Sequence, residues 1–194
     1  MLYERIRAYN DKHKLIKPGD ILIIGLSGGS DSVFLLHFLL WLKPEYSLTL
    51  IAVHLDHEWR TSSKEDYIFC QELAQRNNIL FVGKKGSELG LKTLYKGSQE
   101  DYGRTLRRYL YERVACEYNA NGIVLGHHRD DQIETFLIRL IRGSGLEGLC
   151  SMLAKDGLYI RPLLSISKQE IVEFLNTHAI EYRSDPTNES QAYL

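Results

Sequence analysis

Three short segments concentrate side chains capable of chemistry. The first is Ser27-Gly28-Gly29-Ser30-Asp31-Ser32, set between an apolar run at 21–26 and an apolar helical pattern. Its glycines let backbone N–H groups approach an anion closely. A helix beginning near Ser32 adds the positive end of its dipole, and Ser27, Ser30 and Ser32 add hydroxyl donors. A glycine-rich turn with an ordinary Ser or Asp cap has the same ingredients, so the segment alone points to a phosphate without requiring one. A kinase-type loop would follow Gly-x4-Gly with a lysine, and no lysine is present. The Gly-x-Gly-x-x-Gly dinucleotide fingerprint is absent too.

The second segment is His127-His128-Arg129-Asp130-Asp131-Gln132-Ile133-Glu134. Asp130 and Asp131 fall in a first helical turn, and Glu134 can share a face with either. Acids at the start, Arg139 and Arg142 near the end and Gly143 as the stop also satisfy a helix dipole. Three close carboxylates repel one another, and a bound cation relieves that. Mg²⁺ accompanying ATP is one such cation, and a substrate ammonium is another. Zinc fits poorly: adjacent histidines point in different directions and no nearby cysteine completes a site.

The third segment carries Glu100, Arg104, Arg107 and Arg108, a cationic stripe at helical spacing. Taken alone it reads as a solvated face with a Glu100–Arg104 pair. Beside a nucleotide, arginines suit phosphates and planar groups.

The elements that must position these segments alternate. Helices are expected over 2–13, 32–42, 63–77, 99–118, 130–142 and 167–177, and strands over 21–26, 48–55, 78–83, 122–128, 158–161 and near 179–183. The spacing predicts an α/β fold with a doubly wound, mostly parallel sheet and helices on both faces. Ligands in such folds sit at the carboxyl ends of strands, which brings segments 27–32, 54–60 and 127–134 toward one rim. Residues 84–97, with three glycines and four lysines, are expected to form a mobile loop or lid.

The 194 residues suit one domain with a real core. Twenty-four basic against 25 acidic residues rule out a wholly basic nucleic-acid binder but not a local basic patch. Cys70, Cys116 and Cys150 form no Cys-x-x-Cys pair, which removes support for a disulfide framework or an iron–sulfur site. Reduced thiols suit the cytosol, the charged N-terminus lacks a signal peptide's apolar core, and no apolar run is long enough to span a membrane.

The Ser-Gly-Gly-x-Asp-Ser loop directly after a strand resembles that of the PP-loop ATP pyrophosphatase superfamily, whose enzymes release pyrophosphate while adenylating a substrate. Further segments narrow the resemblance to the tRNA(Ile)-lysidine synthetase family. They are His54-Leu-Asp56-His57 with Arg60, Glu100-x3-Arg104-x2-Arg107, Gly126-His-His-x-Asp130-Asp131-Gln132-x-Glu134-Thr135, Arg142-Gly-x-Gly145, Arg161-Pro-Leu-Leu with Lys168-x-Glu170-Ile171, and Asp185-Pro-Thr-Asn188.

That family joins L-lysine to C2 of the wobble cytidine (position 34) of tRNA(Ile) bearing a CAU anticodon, through an adenylated intermediate. The resemblance implies a PP-loop, adenine nucleotide alpha hydrolase-like fold, ATP and Mg²⁺ as cofactors, and tRNA(Ile) and L-lysine as partners. It implies ATP contacts from Ser27, Gly28, Gly29, Ser30, Asp31, Ser32, His54, Arg142 and Gly143, and a metal held by Asp31 and Asp131. Catalytic roles are implied for Asp31, Arg104, Arg107, Asp131 and Glu134, with Asp131 and Glu134 serving the lysine ammonium or the metal. Residues 1–194 would be a catalytic domain without the family's C-terminal tRNA-binding domains, in the cytoplasm, with a homodimer among the assemblies it allows. A noncatalytic ATP- or tRNA-binding module and a tRNA cytidine thiolase are the alternatives; thiolases usually deliver sulfur with Cys-x-x-Cys pairs.

Overall fold

The computed structural model describes residues 2–59, 63–90, 98–143 and 152–183. Among them a six-stranded sheet runs in the order β3 (Leu80–Lys85), β2 (Thr49–Asp56), β1 (Ile21–Gly25), β4 (Gly122–Val124), β6 (Tyr159–Ile160) and β5 (Lys155–Asp156). All pairings are parallel except the β5–β6 hairpin. The order reverses direction at β1, which therefore lies between the two halves of the chain.

Strand β1 reads as a continuous apolar run because both its faces are covered. Leu22 and Ile24 join one core, and Ile23 joins the other. On β2, Leu50 and Ala52 face the first core, while Ile51 and Val53 face the second. The first core is filled by α1 (Leu2–His13), α2 (Ser30–Tyr46), α3 (Ser63–Arg76) and α6 (Lys168–Thr177). The second is covered by α4 (Gln99–Glu117), through Leu106, Leu110 and Val114. Helix α5 (Arg129–Ile141) packs along a 3-10 turn at Pro162–Ser165 and has no buried residue.

Four expectations change. Helix α2 runs to Tyr46, past Pro44, because Tyr46 is buried and its hydroxyl donates to Asp11 at 2.6 Å. The fourth strand stops at Val124, and Leu125–His128 form the turn. No strand forms near 179–183; Arg183 turns to the loop after β1, its N–H donating to the Gly28 carbonyl at 2.9 Å. In the stretch expected as a lid, residues 84–85 end β3 and Gly86–Leu89 form a 3-10 turn; 91–97 lie outside the described residues. Arg60, Gly145, Cys150 and Asp185–Asn188 lie outside them as well.

Candidate active site

The carboxyl end of β1 leads through buried Leu26 into the Ser27–Ser32 loop. Its hydroxyls tie it into a ring. Ser27 N–H donates to Ser32 Oγ at 3.2 Å, and Ser32 Oγ donates to the Gly29 carbonyl at 2.9 Å. Ser27 Oγ and Ser32 Oγ lie 3.1 Å apart. Gly28 has φ +89°, a left-handed conformation that disfavours any side chain. Gly29 is the N-cap of α2 and supplies no side-chain cap. The first-turn N–H groups of α2 are thereby left for an anion.

The end of β2 delivers His54, which is 5% exposed. Its Nδ1–H donates to the Leu26 carbonyl at 2.8 Å, since a carbonyl can only accept. Burial lowers the pKa of this imidazole, favouring the neutral ring with an acceptor at Nε2. Asp56 accepts the Glu58 N–H at 2.7 Å and shapes the following turn. There His57 stacks on Trp59 at 4.4 Å, against Gly103 of α4, where a Cβ would collide with the indole.

The end of β4 brings the acidic helix start against the first loop. A Cβ at Gly126 would lie 3.0 Å from the Asp31 carbonyl, so a side chain there would push the two helix starts apart by a few tenths of an ångström. His128 N–H donates to Asp131 Oδ2 at 2.7 Å. His128 Nε2 lies 3.7 Å from Asp31 Oδ1, and its Nδ1 lies 3.4 Å from Asp131 Oδ2. The two carboxylates therefore flank one imidazole. Asp130 is otherwise engaged: it accepts the Lys168 N–H at 2.8 Å and fixes the start of α6. Burial lowers the pKa of His127 as well, and its Nδ1 has no hydrogen-bond partner.

These elements enclose a cavity of about 900 Å³, at the upper end of the range for small-molecule sites. Ser27, Asp31 and Ser32 form one wall with His54, His127 and Asp131 beside them. Arg104, Arg107 and Arg108 of α4 line the other side, with Trp59, Tyr159 and Arg161. The lining thus carries four arginines and the aromatic rings of Trp59, Tyr111 and Tyr159 together with six carboxylates, among them Asp31, Asp131 and Glu112. Glu112 stands among the arginines, accepting from Arg108 Nε at 2.8 Å and from the Tyr159 hydroxyl at 3.1 Å.

Most of the expected site residues meet here. Ser27, Asp31, Ser32, His54, Arg104, Arg107 and Asp131 line the cavity, and Gly28, Gly29 and Ser30 build the loop beneath it. Glu134 does not line the cavity; it is exposed, one turn further along α5. Arg142 and Gly143 sit just beyond the far end of that 13-residue helix, about 20 Å from its start at 1.5 Å per residue, and are also outside the lining. Among the described residues no three potential metal ligands converge. Asp31 and Asp131, the expected metal ligands, stand on either side of the His128 ring, and Asp31 Oδ1 is paired with Lys168 Nζ at 2.6 Å. Sequence reasoning gave no site role to Trp59, Glu112, Tyr159, Arg161 and Lys168, and named Arg108 only as part of the cationic stripe; the aromatic beside His57 and the Arg161-Pro and Lys168-x-Glu170 motifs were the available signals.

Residues 3–194 match the family model described as a PP-loop domain. The chain is 38% identical to a tRNA(Ile)-lysidine synthase of Geobacter sulfurreducens, over 98% of this chain and 41% of that protein. It is 35% identical to a tRNA(Ile)-lysidine synthase of Clostridium tetani, over 94% of this chain and 39% of that one. The chain thus spans about two fifths of the length of these curated relatives. A solved U34-tRNA thiolase of Methanococcus maripaludis, described with its [4Fe-4S] cluster, superposes with a TM-score of 0.80 at 18% identity. That match covers all of this chain and 67% of the thiolase, and it shows a shared fold.

Proposed function

The chain belongs to the PP-loop domain family, and from that premise we propose that it is the catalytic portion of a tRNA(Ile)-lysidine synthase, a cytoplasmic ATP-dependent ligase forming a C–N bond. The observation that carries this reading is the convergence of the Ser27–Ser32 loop, the histidine–aspartate turn and the arginines of α4 on one cavity.

The cytosine O2 is a poor leaving group, and adenylation makes it a good one. In the first half-reaction O2 attacks the α-phosphorus of ATP and the bond to pyrophosphate breaks. In the second, the lysine ε-nitrogen attacks C2, the C2–O bond breaks and AMP leaves. The N–H groups of α2 and the loop hydroxyls hold the phosphates where charge develops. Asp31 would be a protein ligand for Mg²⁺ bound with ATP, which would supply further charge neutralisation. Arg104 and Arg107 face the same space from the opposite wall and steady the phosphates or the cytidine. An ammonium is not nucleophilic, so the lysine must lose a proton before attack; in this reading Asp131 holds the ammonium and accepts that proton. The target base leaves the anticodon stack cheaply, because loop bases are splayed out with little loss.

A thiolase is less well supported. Burial pushes the Cys70 thiol up to about 12, which keeps it protonated, and Cys116 is exposed on α4. The test is AMP formation by this chain with ATP, Mg²⁺, L-lysine and unmodified tRNA(Ile) bearing CAU, omitting each in turn, followed by digestion of the RNA to detect lysidine. Lysine-dependent lysidine supports the reading. AMP release that ignores lysine, with no lysidine even in a chain as long as the relatives, refutes it.

A further inference from the structure

The Ser27–Ser32 loop contains no lysine, yet an ammonium sits on it. Lys168 Nζ donates to Ser30 Oγ at 2.7 Å and to Asp31 Oδ1 at 2.6 Å. We propose that Lys168 is the phosphate-binding lysine of this site, delivered to the loop from α6, and that it contacts the pyrophosphate end of ATP. The inference rests on reading the loop as an ATP-phosphate site.

Ser30 and Asp31 are the first two residues of α2, so the ammonium stands beside the first-turn N–H groups. Its approach is built by the fold. Asp130 accepts the Lys168 N–H at 2.8 Å, and the Arg129 N–H donates to the Ile166 carbonyl at 2.8 Å. Ser167 Oγ accepts from the Glu170 N–H at 3.2 Å, and the Glu170 carboxylate accepts from the Ser167 N–H at 2.8 Å. Ile171 and Leu175, both fully buried, anchor the helix in the first core.

Charge explains why a cation belongs there. Asp31 places a negative group at the mouth of a loop that receives a polyanion, and the two repel unless cations lie between them. The Lys168 side chain is 42% exposed and that of Asp31 33%. An ion pair this open to water adds little to a fold, so structural demand alone accounts poorly for it. Arg183 also reaches the loop, but its guanidinium is turned to Glu65 at 2.6 Å and Asp66 at 3.1 Å. A lysine is a flexible point charge and can move from Asp31 to a phosphate oxygen with a small side-chain shift.

The test is calorimetric binding of ATP, inorganic pyrophosphate and adenosine, at fixed Mg²⁺, to the wild type and to Lys168→Met, Lys168→Gln and Lys168→Arg. The expected result is a roughly 10- to 100-fold loss of ATP and pyrophosphate affinity in the Met and Gln variants. Adenosine affinity stays unchanged, and Arg restores most of the phosphate affinity. An equal loss for all three ligands would make Lys168 a tether for α6 and overturn the proposal, as would no loss at all. A wild type that binds neither ATP nor pyrophosphate overturns it together with the ATP reading of the loop. Lys168-dependent pyrophosphate binding without lysidine synthesis, even in a chain as long as the relatives, leaves it standing and removes the lysidine reading alone.

Discussion

Helices α2 and α5 begin at the ends of adjacent parallel strands and direct their first turns at one cavity, yet they are held in opposite ways. Val33, Phe34, Leu35, Leu36, Phe38 and Leu39 of α2 are fully buried. In α5 no residue is buried, and Ile133, Leu137, Leu140 and Ile141 are 48–84% exposed. The helix that follows the phosphate loop is a core element; the helix presenting Asp131 packs on the 3-10 turn at Pro162–Ser165. The ATP half of the site is therefore set by global stability. The acidic half depends on local contacts, namely the His128–Asp131 cap, the Gly126 approach and the Asp130–Lys168 bond.

The largest effect that tests this contrast is on stability. Phe34→Ala is expected to cost about 3–5 kcal/mol, and Phe136→Ala, 39% exposed on α5, about 1 kcal/mol or less. Urea midpoints of the two variants decide it; similar losses would erase the difference between the helices. Next come two left-handed glycines. Gly28→Ala and Gly143→Ala each add about 1–2 kcal/mol of backbone strain, since φ is +89° and +72°. Only the first should weaken ATP binding, and a nucleotide titration of both separates strain from function. Asp131→Ala should cost about 1 kcal/mol through loss of the cap. It should leave ATP affinity intact while slowing lysine transfer, so an equal fall in ATP affinity would break the assignment of separate halves.

The smallest effect is a pH slope. Burial places the His54 pKa below the unfolded value of about 6.5, so the unfolded chain binds more protons between those values. The neutral-ring stability is full above about pH 6.5 and falls as the pH drops toward the folded value. His37 and His127 shift in the same direction. His54→Asn, which keeps a donor for the Leu26 carbonyl, should flatten part of that limb in pH-dependent melting. An unchanged slope would assign the limb to the other two histidines.

Much of this was legible in the residues, for physical reasons that differ by region. The β1–loop–α2 unit is local: the apolar run, Gly28 and the helix period all lie within one stretch, so its form follows from nearest neighbours. The convergence of segments 27–32, 54–60 and 127–134 was expected from the parallel order of the strands, and their parts 27–32, 54–57 and 127–131 meet at the cavity. What stayed hidden is long-range. The contact of Lys168 with Asp31 spans 137 positions, and no local pattern announces it. The β5–β6 hairpin pairs two residues with two, too short for a period to show. The segment near 179–183 is expected as a strand, but Arg183 bonds instead to the loop after β1. Arg142 and Gly143 are implied at the site by the resemblance, and they lie beyond the far end of α5, outside the cavity lining.

The bond from the Arg183 N–H to the Gly28 carbonyl bears on the order in which the protein is made. Gly28 leaves the ribosome about 150 residues before Arg183 does, a delay of roughly 8–30 s at ordinary rates of synthesis. Lys168 arrives only shortly before Arg183. For most of that interval the nascent chain carries a glycine-rich loop without the two residues that brace it. A growing chain should therefore gain its grip on ATP late and abruptly, only once α6 and the turn after it have emerged.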